Sequence, residues 1–175
     1  MPPSIDVHFS SKSNDWRTPP WLFKQLDEEF HFDLDSAADK DSALCPRYYT
    51  AEQDALKQDW GKDGKTHFCN PPYGRLIGKF VAKAYEETLK DNSLTVVLLI
   101  PARTDTRWWH AYCAMGEVRF IKGRLKFVNT SFPSYRADGD FKLSPAPFPS
   151  AIVVLGAKAE AQGGYTSYVA YKEPS

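Results

Sequence analysis

The sequence predicts an α/β protein whose central sheet is largely parallel, with helices on both faces. Short β-rich runs alternate along the chain with stretches in which apolar residues recur at helical spacing. Two of the runs, "LTVVLLIPA" and "SAIVVLGA", are apolar almost throughout, which is typical of strands covered on both faces. A chain of 175 residues suits one domain, so we assign residues 1–14 to a polar arm and residues 15–175 to a single domain.

The elements of the N-terminal half are predicted from periodicity and from the residues that begin or end them. Thr18 is a candidate N-cap and Pro19 suits a first helical position, so "RTPPWLFKQLDEEFHF" predicts a helix near residues 19–29. "FHFDLDSA" alternates as a strand does and ends near Asp35, and "THFCN" predicts a second short strand. The two prolines after "THFCN" end this strand, because proline cannot donate a backbone hydrogen bond.

The rest of the chain continues the alternation. A helical stripe follows the double proline and consists of Leu76, Ile77, Phe80, Val81, Ala84 and Leu89. "DTRWWHAYCAM" predicts a short helix capped by Asp105, "EVRFIKGRLKF" predicts a strand and a turn, and "YTSYVAY" predicts a last edge strand. Residues 128–149 are rich in Pro, Ser, Asp and Gly, and we expect a long loop there, of the kind that is functional or disordered in compact domains.

Composition argues against several classes of protein. The hydrophobic content of 42% is that of a globular protein, and the longest apolar run, near Val96–Ile100, is far too short to span a membrane. The N-terminus lacks the basic and apolar stretches of a signal peptide. The three cysteines form no CxxC pair and the four histidines form no metal-spaced pair. We therefore expect neither a disulfide framework nor a metal site, and a reducing cytoplasm fits this cysteine usage.

Charge is distributed unevenly along a chain whose net charge is zero. Residues 64–127 carry 11 basic and 5 acidic side chains, whereas residues 1–63 carry 7 basic and 13 acidic ones. A basic middle segment could offer one face to a polyanion, although an ordinary solvated surface would give the same counts.

Three polar points follow predicted strands: Asp35, Asn70 and the segment Pro101–Arg103. In open α/β sheets, ligands bind beyond the carboxyl ends of the strands. We therefore expect these residues to meet at one crevice.

The run Asn70-Pro71-Pro72-Tyr73 suits chemistry on an exocyclic amine. Such an amine is a poor nucleophile, because its lone pair is delocalised into the ring. The Asn70 amide oxygen and the Pro71 carbonyl could accept its two N–H bonds and localise the lone pair, and the prolines would hold these acceptors in place. Tyr73 would stack on the base, which contributes about 1–3 kcal/mol. Neither a metal nor a covalent intermediate is required, and a purely structural turn is the alternative.

These residues resemble the catalytic motif of S-adenosylmethionine-dependent amino-methyltransferases. Over most of residues 15–157 the chain is similar to the phage-type DNA N6-adenine methyltransferases, the small Dam-like family. The similar stretches are "DWRTPPWLF", "FDLDSAAD", "CPRYYT", "CNPPYGR", "IPARTDTRWWH", "VRFIKGRLKF" and "APFPSAIVVL". The resemblance implies a Rossmann-like methyltransferase fold with an antiparallel strand near the C-terminus. It also implies methyl transfer from S-adenosylmethionine to an adenine flipped out of double-stranded DNA.

The resemblance also implies roles in cofactor binding. Thr18 and Pro19 would touch the methionine end, and Asp54 would accept from the adenine amine of the cofactor, with Asp59 as the competing acid. The usual glycine-rich loop is replaced by "DLDSAADKD". There Asp35 would face the methionine amine while the small residues Ser36 and Ala37 allow close approach. Asn70 borders the same pocket, and Glu52 is a candidate for the ribose.

DNA contacts are expected from the basic middle segment and from the long loop. The candidates for phosphate contact are Arg103, Arg107, Arg119, Lys122, Arg124 and Lys126. Tyr135 and Arg136 are candidates for groove contact, and Phe148, with Phe127 as the alternative, is the candidate for a second aromatic wall around the base. We expect Trp108 and Trp109 to be core residues, and Cys69, which precedes Asn70, to point into the sheet rather than act as a nucleophile.

The target is left open by the motif. RNA, cytosine N4 and protein glutamine are possible substrates for such a site. The missing glycines also leave open a DNA-binding relative without catalysis. The sequence does not give the oligomeric state, although a monomer is compatible with it.

Overall fold

The computed structural model describes residues 16–128, 143–160, 166–169, 171 and 173–175. The strands are β1 Leu34–Asp35, β2 Thr66–Cys69, β3 Thr95–Pro101, β4 Glu117–Ile121, β5 Lys126–Val128, β6 Leu143–Pro145, β7 Ser150–Gly156 and β8 Thr166–Val169. The helices are α1 Pro20–Phe30, α2 Trp60–Asp63, α3 Ile77–Lys90 and α4 Arg107–Ala111, with short 3₁₀ helices at Ala55–Lys57 and Cys113–Met115.

The central sheet has six strands in the order β1-β2-β3-β7-β4-β8. Strands β1, β2 and β3 are mutually parallel, β7 is antiparallel to both of its neighbours, and β8 is parallel to β4 at the edge. A mixed α/β fold with a mostly parallel sheet and an antiparallel strand near the C-terminus is thus confirmed. Because parallel strands end at the same edge, Asp35, Asn70 and Pro101 all lie at the carboxyl edge of this sheet.

The core is centred on the β3–β7 pair. Every residue of β3 is buried, and its partners in β7 from Ser150 to Leu155 are buried too. This burial is why both segments read as continuous apolar runs. Helix α3 packs its apolar stripe inward, but Leu76 and Leu89, at the two ends of the predicted stripe, are 43% and 67% exposed. Leu76 precedes the helix, and Leu89 lies in its last turn next to solvent.

Two predicted helix caps are wrong. Helix α1 begins at Pro20, Pro19 is its N-cap, and no side chain caps the end. The Thr18 hydroxyl instead accepts a hydrogen bond from the Asn70 amide at 3.0 Å, so the residue binds across the fold rather than along the helix. Helix α4 is capped by Thr106, whose hydroxyl accepts from the Trp109 N–H at 3.3 Å, because Thr106 directly precedes the helix and Asp105 does not.

The segment after β1 contains no crossover helix. Residues 47–49 run beside Asp35, whose N–H donates to the Arg47 carbonyl and whose carbonyl accepts from the Tyr49 N–H. Helical structure resumes only at Ala55. The chain between Asp35 and Asp54 is too short for a strand, helix and return strand, as the sequence indicated.

The predicted loop 128–149 is shorter than expected. Leu143–Pro145 forms β6, which pairs antiparallel with Lys126–Val128. The Val128 N–H also donates to the Arg17 carbonyl at 2.9 Å, which ties the N-terminal segment to this ribbon. Tyr135 and Arg136 lie outside the described residues. Among the helices that the structure describes, none has the length and apolar character needed to cross a bilayer.

Candidate active site

A large cavity of about 1390 Å³ lies at the carboxyl ends of β1 and β2. Residues 16–18, 35–42 and 49–52 form much of its wall, together with Asn70, Pro71 and Pro72. Pockets for one small molecule have volumes of about 300–1,000 Å³. The cavity is therefore large enough for two ligands of nucleoside size side by side.

The Asn70 side chain is held in one orientation. Its Nδ2 donates to the Trp16 carbonyl at 2.5 Å and to Thr18 Oγ1 at 3.0 Å. Because a backbone carbonyl can only accept, the amide nitrogen must face Trp16, and Oδ1 must point the other way. Oδ1 is buried and has no hydrogen-bond partner among the described residues. An unpaired buried acceptor costs about 1–3 kcal/mol, so this oxygen is suited to a ligand that brings a donor.

The turn after β2 carries Tyr73, which is buried. Gly74 has φ 119°, a conformation that residues with a side chain rarely adopt, and it lets the chain reverse before α3. Tyr73 is 5% exposed, and its hydroxyl donates to the Leu99 carbonyl at 3.1 Å. It is not among the described residues that line the cavity. Phe127 and Phe148 pack against its ring in this structure, and the stacking role of Tyr73 stays a prediction.

Those neighbours form an aromatic cluster, which comprises Trp16, Tyr73, Phe127 and Phe148. Phe148 and Phe127 lie 5.6 and 6.2 Å from Tyr73, both nearly perpendicular to it. Trp16 lies 5.2 Å from Phe148 and 5.6 Å from Phe127, also edge to face. Phe148 thus lies beside Tyr73, and its place at the flipped base stays a prediction. Trp16 is the member of the cluster that lines the cavity.

Asp35 is a buried carboxylate at the cavity. It is 3% exposed, and its two oxygens accept from the Ala37 and Leu44 N–H groups at 3.2 and 3.3 Å. Burial raises the pKa of Asp35 to about 7, although the two backbone bonds oppose this change. A carboxylate has about four acceptor positions, so Asp35 can still accept from a cationic donor.

Sequence reasoning missed His67, which braces the loop after β1. His67 is fully buried; its Nε2 lies 3.0 Å from the Trp60 carbonyl, and its Nδ1 lies 2.8 Å from Ser36 Oγ. The carbonyl requires a proton on Nε2, so Nδ1 accepts from the Ser36 hydroxyl. Burial lowers the pKa of His67, which keeps the ring neutral. The only sequence signal was a histidine in the middle of the strand "THFCN".

Asp54 and Asp59 occupy different sites. Asp54 lines the cavity; it also caps the first 3₁₀ helix by accepting from the Leu56 N–H at 3.2 Å. Asp59 caps α2 and borders a separate depression with Lys62 and Glu87. The predicted cofactor residues that line the cavity are Thr18, Asp35, Ser36, Ala37, Asp54 and Asn70. Pro19 is buried and does not line it. Glu52 also lines the cavity.

Arg119 is not available to a phosphate, contrary to the sequence prediction. It is 5% exposed and bonds Glu29 at 2.7 Å and Glu117 at 2.6 Å, and its guanidinium lies 5.3 Å from the Phe30 ring centre. Burial alone would lower the pKa of Arg119, but the bonds to the two glutamates raise it overall. The other described candidates are exposed and comprise Arg103, Arg107, Lys122, Arg124 and Lys126. Lys126 lies 3.8 Å from Glu173.

Two further predictions agree with the structure. Trp109 is 5% exposed and stacks on Phe120 with the rings 11° from parallel, as a core residue does. Trp108 is half-buried. Cys69 is fully buried, and burial raises its pKa well above the usual value, which opposes the thiolate that a nucleophile needs.

A buried acid, an amide oxygen without a hydrogen-bond partner among the described residues, and an aromatic cluster thus lie at the carboxyl edge of a mixed α/β sheet. This arrangement is consistent with the amino-methyltransferase class that the sequence resembles. A model of the family described as DNA N-6-adenine-methyltransferase (Dam) matches residues 8–162. The chain therefore belongs to the Dam family.

Two curated relatives match parts of the chain. It is 36% identical over 95 residues to the "DNA N-6-adenine-methyltransferase" of Escherichia phage T1. The aligned segment covers 54% of this chain and 38% of that protein. It is 43% identical over 63 residues to the "Putative methyltransferase YfdM" of Escherichia coli strain K12, covering 33% of this chain and 69% of that protein. The chain thus aligns with well under half of the phage protein and with about two thirds of the bacterial one.

Proposed function

We propose that this protein transfers the methyl group of S-adenosylmethionine to N6 of an adenine flipped out of double-stranded DNA. The observation that carries the proposal is the buried Oδ1 of Asn70, which has no hydrogen-bond partner among the described residues, on a side chain oriented by the bonds from Nδ2 to the Trp16 carbonyl and Thr18. An amine N–H group can donate a hydrogen bond to this oxygen. Because the chain belongs to the Dam family, we assign adenine N6 as that amine.

Asn70 and Pro71 act on the amine in this proposal. Asn70 Oδ1 and the Pro71 carbonyl accept its N–H bonds, so the nitrogen becomes more tetrahedral and its lone pair turns towards the cofactor. When bound, S-adenosylmethionine would supply an electrophilic methyl group to this lone pair and would leave as S-adenosylhomocysteine, and the amine would lose one of its two protons to solvent. Pro72 stiffens the turn, and the ring of Tyr73 would stack on the base.

The residues at the cavity fit the cofactor that the family implies. Asp35 would hold the methionine ammonium, because a buried carboxylate without an ion-pair partner among the described residues gains most from a cation. Asp54 would accept from the cofactor's adenine amine, and Glu52 would face the ribose. Ser36, Ala37 and Thr18 complete this half of the cavity, with Pro19 behind it.

The finer features of the fold belong to the same proposal. A Rossmann-like methyltransferase fold with helices on both faces, built from residues 15–175 after an arm at 1–14, fits the mixed sheet. Phosphates would be held by Arg103, Arg107, Arg124 and Lys126, and the groove would be contacted by Tyr135 and Arg136. Phe148 would border the flipped base.

The test is transfer of labelled methyl from S-adenosylmethionine, with duplex DNA, RNA or protein as acceptor, followed by digestion and identification of the product. N6-methyladenine from DNA supports the proposal. N4-methylcytosine, labelled RNA or labelled protein would redirect it to another amine. If no acceptor is labelled and calorimetry detects no binding of S-adenosylmethionine, the protein is a non-catalytic member of the family.

Asn70→Ala tests the residue that carries the proposal. We expect transfer to fall at least about 100-fold, as when a preorganised catalytic hydrogen bond is removed, with cofactor affinity largely unchanged. Gln25→Ala, a change on α1 away from the cavity lining, is the matched control. Loss of cofactor binding in Asn70→Ala with the fold intact would contradict the assigned role.

A further inference from the structure

We propose that His67 is a positioning residue for the cofactor. Its bond to the Ser36 hydroxyl keeps this side chain out of the cavity, so that the loop after β1 leaves room for S-adenosylmethionine although residues 35–42 contain no glycine. The inference rests on the proposed function, because it concerns the residues to which we assign the methionine end of the cofactor. His67 itself touches no ligand in this proposal and acts through Ser36.

Ser36 is fully buried although it belongs to the wall of the cavity. Its hydroxyl lies 2.8 Å from Nδ1 of His67 in the neighbouring strand β2, and its N–H donates to the Phe68 carbonyl, also at 2.8 Å. The second bond continues the ladder between β1 and β2 by one residue. Both bonds hold Ser36 against the sheet, so its side chain does not project into the cavity.

The register of β1 and β2 places the two side chains together. Leu34 pairs with His67, and Asp35 pairs with Phe68. Because successive side chains of a strand point to opposite faces, Ser36 lies on the same face as His67, whereas Asp35 lies on the other. The serine can therefore turn to His67 while the neighbouring carboxylate stays at the cavity.

The ring of His67 is itself held in place. Its Nε2 donates to the Trp60 carbonyl at 3.0 Å, and the Trp60 indole stacks on it with ring centroids 5.3 Å and planes 13° apart. Trp60 is fixed in turn, because its N–H donates to Glu87 at 3.0 Å and its indole N–H donates to the Ala55 carbonyl at 2.8 Å. A fixed acceptor selects one rotamer of the serine, which is what a positioning residue must do.

Loss of this acceptor would change the shape of the cavity. A buried hydroxyl without a hydrogen-bond partner is unfavourable, so the Ser36 side chain would rotate towards solvent. The nearest open space is the cavity whose wall Ser36 forms. A hydroxyl there would occupy part of the space that Asp35 and Ala37 border, where we assign the methionine end of the cofactor.

Two substitutions of His67 separate its two bonds. A glutamine side chain reaches about as far as Nε2 and can donate to the Trp60 carbonyl, but it leaves Ser36 without its acceptor. An asparagine side chain reaches about as far as Nδ1 and can accept from Ser36, but it loses the bond to Trp60. Each variant loses one buried bond and the ring stack, so urea denaturation should show similar losses of stability.

We expect His67→Gln to weaken calorimetric binding of S-adenosylhomocysteine about three- to tenfold, as the loss of one hydrogen bond does. His67→Asn should recover most of this affinity. In transfer assays, His67→Gln should raise KM for S-adenosylmethionine by the same factor and keep kcat within about twofold of the wild type, because Asn70 is unchanged. Equal affinities in the two variants would overturn the inference, since a role in packing alone does not distinguish them.

A second test uses the coupling between the two residues. In a Ser36→Gly background there is no hydroxyl to withdraw, so adding His67→Gln should change the affinity for S-adenosylhomocysteine by less than about twofold. The same loss of affinity in both backgrounds would show that His67 acts through another contact, which contradicts the inference.

A measurement on the wild type applies if the His67 variants fail to fold. Among the ring-nitrogen resonances of the four histidines, that of His67 Nδ1 is the one that moves in Ser36→Ala. It should keep its position when S-adenosylhomocysteine binds, because Ser36 stays bonded to His67. Movement towards its position in Ser36→Ala overturns the inference alone. A wild type that binds neither S-adenosylmethionine nor S-adenosylhomocysteine overturns both the inference and the proposed function.

Discussion

Two buried charges in the same sheet have opposite surroundings. Arg119 in β4 is bonded to Glu29 and Glu117, so its charge is compensated within the protein. Asp35 at the end of β1 is as deeply buried, but it accepts only the N–H groups of Ala37 and Leu44, and no ion pair to it is found among the described residues. A compensated buried charge serves the fold, whereas an uncompensated one beside a cavity indicates a ligand site.

Of these two buried residues, Arg119 should give the larger effect on stability when it is replaced. Arg119→Ala leaves Glu117 buried without its partner, so we expect the free energy of unfolding to fall by about 3–5 kcal/mol. Urea denaturation followed by circular dichroism measures this change. Arg124→Ala, which removes an exposed arginine from the same region, should change it by less than about 0.5 kcal/mol. Equal effects from the two substitutions would erase the distinction between the buried and exposed arginines.

Replacement of Asp35 should raise, rather than lower, the stability of the cofactor-free protein at neutral pH. Its folded-state pKa of about 7 lies above the ordinary value of 3.8, so the folded protein holds the proton more tightly than the unfolded chain does. The contribution of Asp35 to the stability of the protein without cofactor therefore falls as pH rises from about 4 to about 7. Asp35→Asn removes this fall and should stabilise the cofactor-free protein at neutral pH, by about 4 kcal/mol at most.

The same substitution should weaken cofactor binding, because the ammonium loses its carboxylate. Urea melts at several pH values, together with calorimetry, measure both effects, and Asp105→Asn, which changes an exposed acid outside the cavity lining, is the control. Stability of Asp35→Asn below that of the wild type at pH 7 would show that Asp35 is already compensated without cofactor.

The sequence was informative about the sheet and about the motif, but not about which distant residues meet. Continuous apolar runs identified β3 and β7, and the double proline located Asn70, because both signals are local. The bond between Thr18 and Asn70 joins residues 52 positions apart, and no periodicity encodes it. The burial of Tyr73 depends likewise on Phe127 and Phe148, which reach it only through the folded chain.

The sequence contains a signal that Arg119 forms an internal ion pair. Glu117 and Arg119 are two residues apart in a predicted strand, so their side chains lie on one face and can pair there. The regional excess of positive charge suggested a polyanion instead, because a count of charges does not show which side chains point inwards. Opposite charges at alternate strand positions are better evidence for an internal pair.

Thr18 gives the smallest and most discriminating test. As a helix cap, its replacement would cost about 1 kcal/mol of stability. The structure instead uses its hydroxyl as an acceptor for Asn70, beside the Trp16 carbonyl. We expect Thr18→Val, which keeps the shape, to lower kcat a few-fold while changing the free energy of unfolding by less than about 0.5 kcal/mol. Thr18→Ser should retain the wild-type rate, because it keeps the acceptor. A stability loss with unchanged kcat in Thr18→Val would return Thr18 to the capping role, and Asn70 would then be oriented by the Trp16 carbonyl alone.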